Sequence, residues 1–242
     1  MISKEDYLNG KVLLFDKDKD WTSFDLVNKT RNLIKKRFDL KKIKVGHSGT
    51  LDPLATGLLI ICSGKETKNI DQYQGLDKTY TTTIKLGEST PSFDLETEVD
   101  KKQAFEHITI EQIEDVLKSF TGAIEQIPPM YSAINVNGKR AYQLARKGEI
   151  VELKKKNVTI HNITITNFAS PFLSLEINCS KGTYIRSLAR DIGIALNTVA
   201  HLTELRRTKI GDFDVENAIS IKDFENIIDN SQLSKQENSV TN

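Results

Sequence analysis

The chain has 242 residues, of which 38% are hydrophobic, and this content excludes wholesale disorder. Its 34 basic and 33 acidic side chains leave a net charge of +1, so the total charge indicates no class of partner. The chain has two cysteines, Cys62 and Cys179, and this number excludes a disulfide framework and a cysteine-rich metal site. No signal peptide or membrane-length apolar run is visible, so we expect a cytoplasmic protein without a membrane segment.

The first half of the chain predicts strands, one helix and a glycine-containing loop. Residues 11–16 are predicted as a short strand, and Ser23 as the N-cap of a helix that ends near Phe38. The loop VGHSGTLDPLATG follows. The apolar run at 58–62 and the alternating, β-branched run at 80–86 then predict two further strands.

The second half predicts three helices and a strand pair. Thr109 and Gln112 form a capping-box pattern, and Gly122 marks the end of the helix that they begin. A proline-rich, basic segment at about 125–157 is typical of an insertion, and residues 158–168 and 172–179 alternate as a strand pair. Residues 184–196 predict a helix, and Ser220 begins a last one. Because strands and helices do not alternate regularly, the pattern favours an α+β fold.

Charge is unevenly distributed along the chain. Basic residues are concentrated at 31–68, 130–160 and 181–210, whereas acids dominate 211–242. Three basic segments could converge into one face that binds a polyanion. They could equally be the solvated faces of separate helices, and composition does not decide between these interpretations.

One carboxylate stands out within the glycine-containing loop. Pro53 fixes its own φ angle and biases Asp52 toward an extended conformation, which favours a single orientation of that carboxylate. Asp-Pro is also a common turn dipeptide, and a cap on the local backbone would explain Asp52 equally well. The residues alone leave both interpretations open.

The segment GHSGTLDPLATGLL at 46–59 resembles the catalytic motif of the TruB family of tRNA pseudouridine synthases. Five further blocks agree with that family in order and spacing: KDKDWTS at 17–23, DKTY at 77–80, IPPMYSA at 127–133 with 138–145, CSKGTYIR at 179–186 and LTELRRT at 202–208. Two blocks depart from the usual pattern. Asp18 and Asp20 replace a proline and a glycine, and Pro91 replaces an aspartate, although Asp94 is retained.

The resemblance implies a fold and a domain organisation. We expect a mixed, largely antiparallel central sheet with flanking helices, in a catalytic domain over residues 1–225. An RNA-gripping insertion is expected at about 125–157. A short polar tail at 226–242 would stand in place of the C-terminal PUA domain of many relatives.

The resemblance also implies an activity, the conversion of uridine 55 in the T loop of tRNA to pseudouridine. Asp52 would be the catalytic carboxylate, attacking either C1′ of the ribose or C6 of the base. Arg186 would keep it ionised, and Tyr80 would stack on the uracil and act as a base or proton shuttle. The isomerisation changes no oxidation state, so neither a metal nor a cofactor is expected.

Binding residues follow from the same resemblance. His47 would enter the space that the flipped uridine leaves, while Tyr184 and Leu205 would line the pocket. Weaker candidates for phosphate contacts are the basic residues Lys68, Lys139, Arg140, Arg146, Arg206 and Arg207. The partner would be the T-stem-loop of tRNA, bound by a monomer that requires no protein partner.

Other interpretations of these residues remain. Tyr80, Tyr184 and Leu205 are also ordinary core residues, and His47 suits a structural hydrogen bond. Arg186 suits a phosphate contact or a surface ion pair. Two alternative functions accompany the leading one: an RNA-binding or tRNA-folding protein without significant catalysis, and a pseudouridine synthase that acts on another RNA.

Overall fold

The structure is a computed structural model that describes residues 3–136, 138–149 and 151–230. The chain divides into two compact units, one formed by 1–76 with 206–242 and the other by 77–205. The polar segment after residue 230, and with it most of the expected tail at 226–242, lies outside the described residues.

The described helices differ widely in length, and the longer helices contribute most of the buried helical residues. The α-helices are α1 Lys4–Asn9, α2 Ser23–Phe38, α3 Ile70–Gly75, α4 Ile110–Phe120, α5 Ala141–Ala145, α6 Ile185–Ala195 and α7 Ile221–Asn230, and short 3₁₀ helices span Gly64–Asn69 and Val215–Asn217. None of the helices in these described ranges is long and apolar enough to cross a membrane.

The strands range from two residues to fourteen. In chain order they are β1 Lys11–Lys17, β2 Val45–His47, β3 Thr56–Ser63, β4 Lys78–Leu86, β5 Glu88–Ser89, β6 Lys101–Lys102, β7 Gly122–Gln126, β8 Asn135–Val136, β9 Lys139–Arg140, β10 Lys156–Ala169, β11 Phe172–Cys179, β12 Ala200–Ile210 and β13 Phe213–Asp214. Strand β12 belongs to both units, its residues 200–205 to one and 206–210 to the other.

The first unit is built around β3. Both β1 and β2 pair antiparallel with it, whereas the end of β12 pairs parallel, with Arg206 opposite Thr56 and Arg207 opposite Gly57. Helices α2 and α7 cover one face of this sheet. Their buried residues Ile34 and Phe224 pack with Phe15 of β1 in the main core of the unit, which removes apolar surface from water.

The second unit is an antiparallel sheet in the order β4, β11, β10 and β7. The first half of β12 lies beside β4, where the Thr82 hydroxyl donates to the carbonyl of Glu204 at 2.7 Å. Fully buried Leu173, Leu175 and Ile177 alternate along β11, and they form part of the apolar interior of the unit.

The expected fold class is confirmed, because antiparallel pairings dominate both units and the β3–β12 pairing is parallel. Most predicted elements are present, including the Thr109–Gln112 capping box of α4. The N-cap of α2 was predicted wrongly: Thr22 is the cap and Ser23 is the first helical residue. The elements that sequence reasoning missed include α1, α3, β7 and β12, and β2 occupies the start of the segment that was predicted as a loop.

Candidate active site

The loop that carries Asp52 connects β2 to β3 within the first unit. Ser23 of α2 binds the backbone of this loop. The Ser23 hydroxyl accepts from the backbone N–H of Leu51 at 2.9 Å and donates to the Leu51 carbonyl at 3.2 Å. The Asp52 carbonyl then accepts from the N–H of Ala55 at 3.1 Å, which closes a turn around Pro53. The backbone of Leu51, the residue immediately before Asp52, is therefore fixed through both its N–H and its carbonyl.

Lys17, at the end of β1, holds the other side of the loop. Its side chain is 1% exposed, and its ammonium donates to the carbonyls of Asp18, Trp21 and Pro53 at 2.9, 2.7 and 3.3 Å. Burial lowers the pKa of Lys17 to about 8, against the opposing effect of the Asp52 charge. Sequence reasoning assigned Lys17 to a family block but did not recognise it as a site residue.

Asp18 and Asp20, which replace the usual proline and glycine, do not disrupt the hydrogen bonds that hold the Asp52 loop. Asp20 has a φ of 66°, in the left-handed region that favours glycine and that aspartate tolerates better than most residues. In this conformation its backbone N–H donates to the Pro53 carbonyl at 2.9 Å. Asp20 thus adopts a left-handed conformation that glycine would also allow.

Arg207 of β12 is part of the loop's support and not of a phosphate-binding surface. Its side chain is buried, Nε donates to the Leu58 carbonyl at 2.8 Å, and Nη2 donates to the Gly49 carbonyl at 3.2 Å. The predicted phosphate contact of Arg207 is corrected on this ground, because its guanidinium is not exposed. Arg206 points elsewhere and forms a two-bonded ion pair with Asp16, at 2.9 and 2.7 Å.

His47 ends β2, five residues before Asp52. It is partly buried, and Nδ1 has no hydrogen-bond partner among the residues that the structure describes. Burial lowers its pKa, and the positive charge of Arg207 adds to this effect, against a hydrogen bond with Gly49. Both effects favour the neutral form of the imidazole.

In the second unit, Arg186 lies in the first turn of α6 and is buried. It donates to the carbonyls of Ser92 and Tyr131 at 3.1 and 2.9 Å, and its Nη1 lies 3.4 Å from a carboxylate oxygen of Asp94. The other Asp94 oxygen accepts from the N–H of Glu96 at 2.9 Å. The guanidinium of Arg186 is thus paired with Asp94, the carboxylate that this chain retains. The burial of Arg186 does not fit a role in a surface ion pair.

Tyr184 is the N-cap of α6, two residues before Arg186. Gln126 at the end of β7 binds its backbone twice: the amide group donates to the Tyr184 carbonyl at 3.0 Å and accepts from its N–H at 2.8 Å. Tyr80 lies on the buried side of β4, and Leu205 is half-buried on β12. Gln126, which is 1% exposed, is a further residue that sequence reasoning missed.

The candidate phosphate contacts in the insertion are exposed. Lys139 and Arg140 form β9, where Arg140 Nη1 donates to the Ala133 carbonyl at 2.7 Å. Arg146 pairs with Glu96 at 2.7 Å and lies over the Tyr142 ring. Lys68 is exposed on the 3₁₀ helix of the first unit. Lys139 and Arg140 therefore remain available cations, whereas Arg146 already has a carboxylate partner.

Comparison with known proteins identifies the chain's relatives. Residues 35–185 match the family description "TruB family pseudouridylate synthase (N terminal domain)", and residues 186–238 match "tRNA pseudouridylate synthase B C-terminal domain". The chain is 51% identical to the tRNA pseudouridine synthase B of Parabacteroides distasonis, over 96% of this chain and 99% of that one. It is 53% identical to the protein of the same name from Flavobacterium johnsoniae, over 93% and 98%.

Solved structures agree in fold. A crystal structure of a Cbf5-Nop10-Gar1 complex contains a chain that is 28% identical, with a TM-score of 0.69 over 93% of this chain and 56% of that one. A chain in a structure of an H/ACA RNP bound to a substrate RNA containing 2′-deoxyuridine is 26% identical, with a TM-score of 0.66 over 96% and 56%. The chain thus spans about half the length of these structural relatives.

Proposed function

Because this chain belongs to the TruB family of pseudouridylate synthases, we propose that it acts on uridine 55 in the T loop of tRNA, with Asp52 as the attacking carboxylate. Its relatives at about half identity, over nearly the whole of both chains, are tRNA pseudouridine synthases. The chain is accordingly an isomerase that converts a uridine of tRNA to pseudouridine.

The observation that carries the assignment of Asp52 is the way its loop is held. Ser23 binds the N–H and the carbonyl of Leu51 before it, and Lys17 binds the carbonyl of Pro53 after it. A carboxylate that attacks carbon must be held close to its attack position, and a fixed loop supplies this without ordering at each turnover. The buried positive charge of Lys17 also favours the ionised, nucleophilic form of Asp52.

Residues of the second unit supply the other proposed roles. Arg186 keeps a buried positive charge in one orientation through two carbonyls and Asp94, which suits the stabilisation of an anionic group in the reaction. Tyr80 would stack on the uracil and act as a base or proton shuttle. Tyr184 and Leu205 would line the uracil pocket, and His47 would fill the space of the extruded uridine.

The reaction has a proton balance that can be measured. The N1–C1′ bond breaks, the base turns, and a C5–C1′ bond forms. N1 gains a proton, and the proton on C5 leaves to solvent. A tritium label at C5 of uridine is therefore released to water once for each pseudouridine formed.

The test uses a tRNA transcript labelled with tritium at C5 of its uridines. The wild-type protein should release one tritium per tRNA, and Asp52→Asn should release none above background. Asp71→Asn, the same chemical change at an exposed position on α3, is the matched control and should behave as wild type. Release by Asp52→Asn at the wild-type rate would overturn the role of Asp52.

The position of the uridine has its own test. A transcript with cytidine at position 55 should release no tritium, and an isolated T-stem-loop should be a substrate. Release from the position-55 variant at the normal rate would instead indicate a synthase for another uridine. RNA binding without any release from either transcript would indicate an RNA-binding or tRNA-folding protein. The expected monomer can be checked by sedimentation, with and without tRNA.

A further inference from the structure

Phe24 is an exposed aromatic ring at the start of α2. It is 62% exposed, although other apolar residues of this helix, such as Leu26 and Ile34, are buried in the core of the first unit. Its backbone is firmly placed, because Thr22 and Asp25 form a capping box around the first turn. A large apolar ring is therefore presented to solvent from a rigid position.

Phe24 is linked to the Asp52 loop through its neighbour Ser23. Phe24 directly follows Ser23, whose hydroxyl binds both the N–H and the carbonyl of Leu51. Leu51 in turn directly precedes Asp52. Phe24 and Asp52 are thus chain neighbours of the two residues that these hydrogen bonds join.

Basic residues continue the same face of the helix. Arg31 and Lys35 follow Phe24 by seven and eleven residues, which is two and three turns, or about 10 and 16 Å along the axis. The Arg31 guanidinium is oriented by the Asn28 side chain at 2.6 Å and by the Val45 carbonyl at 3.1 Å. We call Phe24, Arg31 and Lys35 the α2 face.

Charge identifies the kind of partner that this face fits. Besides Arg31 and Lys35, basic residues dominate the end of α2 and the segment after it: Lys36, Arg37, Lys41, Lys42 and Lys44. The nearest carboxylate to Phe24 in sequence, Asp25, accepts from the N–H and hydroxyl of Thr22 in the cap. A protein partner would require a wider apolar patch than one ring, whereas an unpaired nucleotide offers a flat base and an anionic phosphate together.

We propose that Phe24 stacks on an unpaired base of the T loop adjacent to the target uridine, while Arg31 and Lys35 contact the neighbouring phosphates. This inference rests on the proposed function, since it takes the same tRNA loop as the ligand. Stacking on an aromatic ring tolerates any base, so the α2 face would contribute affinity and orientation without reading sequence. Phe24 does not contact the reacting atoms and is a binding residue.

The experiment measures the dissociation constant of a T-stem-loop RNA for the full chain. Phe24→Ala should weaken binding about 5- to 100-fold, the range typical of one lost base–aromatic stack. Phe172→Ala is the matched control, because Phe172 is a phenylalanine with 41% exposure in the other unit, and it should change binding less than twofold. Phe24→Trp should bind as wild type, and RNA should quench the emission that its new indole adds to that of Trp21.

Several outcomes would overturn the inference. Binding by Phe24→Ala within twofold of wild type, an equal loss in Phe172→Ala, or unquenched emission from Phe24→Trp would each do so. A loss confined to full-length tRNA, with normal binding of the T-stem-loop, would also overturn it. If Phe24→Ala does not fold, Phe24→Leu replaces it, since leucine keeps apolar volume but offers no aromatic face.

Kinetics separate this inference from the proposed function. Phe24→Ala should raise KM for tritium release by about the same factor as the dissociation constant and leave kcat within about twofold of wild type. Lys35→Gln should lower the slope of log affinity against log salt by about 1. If the wild type is active and Phe24→Ala changes neither the dissociation constant nor KM, only the proposed role of the α2 face is refuted. If the wild type releases no tritium, the proposed function is refuted, whatever Phe24→Ala does to binding.

Discussion

Gly57→Ala tests the contact that joins the Asp52 loop to β12. Gly57 is the second residue of β3, has a φ of +104°, and lies opposite Arg207 in the parallel pairing. A Cβ built on it would lie 2.8 Å from the backbone nitrogen of Arg207 and still closer to its carbonyl oxygen. Both obstructing atoms are backbone, so no side-chain rotation can relieve the overlap.

The cost of this substitution has two parts. Alanine at a φ that L-residues rarely adopt costs ~1–3 kcal/mol. Overpacking against a fixed strand costs ~1–3 kcal/mol more. The expected loss is therefore about 4 kcal/mol, which in a chain of this size lowers Tm by about 8–16 °C.

Activity should fall as well, because the displaced strand carries Arg207. Its guanidinium binds the carbonyls of Leu58 and Gly49, on either side of Asp52 in the sequence. If β12 moves by even a fraction of an ångström, these two bonds lengthen and the loop loses part of its support. We expect kcat for tritium release to fall at least tenfold at a temperature where the variant remains folded.

Thermal unfolding by circular dichroism and steady-state tritium release are the two assays. Gly75→Ala is the matched control: Gly75 ends α3, has no positive φ, and an added Cβ would meet nothing within 4 Å. It should unfold within about 2 °C of wild type. Should Gly57→Ala match Gly75→Ala in both Tm and kcat, the argument that this close backbone approach fixes the loop would be refuted.

Lys17, Gln126 and the cations of β9 give three further tests. The pKa of Lys17 is about 8 when folded against an ordinary 10.5, so the unfolded chain binds the extra proton between these values. The contribution of Lys17 to the free energy of unfolding should therefore rise by about 3 kcal/mol from pH 8 to 10.5, and urea titrations of Lys17→Met should lack this rise. Gln126→Ala should lower kcat/KM for tritium release about tenfold, because it removes both hydrogen bonds that Gln126 makes to the backbone of Tyr184, and an unchanged kcat/KM would contradict this role. Lys139→Ala with Arg140→Ala should reduce the salt dependence of tRNA binding, a slope that would stay unchanged if neither residue contacts phosphate.

Elements with strong local signals could be predicted from the sequence. The capping box at Thr109 and Gln112 specifies the start of α4 through the two residues themselves, so its prediction needed no tertiary information. The alternation of Leu173, Leu175 and Ile177 likewise identified β11 and its buried face. In both cases the same residues determine the local conformation and the pattern that reveals it.

Long-range contacts explain what sequence reasoning missed. Ser23 has the side chain of a typical N-cap, but Thr22 takes that position and leaves the Ser23 hydroxyl for Leu51, 28 residues away. Lys17 resembles a surface lysine until its three carbonyl partners are known, one of which is Pro53, 36 residues away. A local pattern cannot contain such a partner, so the supports of the Asp52 loop could not be found from spacing.

The two adjacent arginines of β12 show how a charge count misleads when the secondary structure is not known. Adjacent residues of a strand point to opposite faces, so Arg206 and Arg207 cannot both belong to one phosphate-binding surface. The structure separates them: Arg206 pairs with Asp16 and remains partly exposed, whereas Arg207 is buried against backbone carbonyls. The basic segment at 181–210 therefore offers fewer cations to RNA than its composition suggests. Electrostatic attraction of tRNA should depend mainly on cations that are not fully buried, such as the exposed pair of β9 and the half-buried Arg31 and Lys35 of the α2 face. These are the positions where substitutions should change the salt dependence of binding.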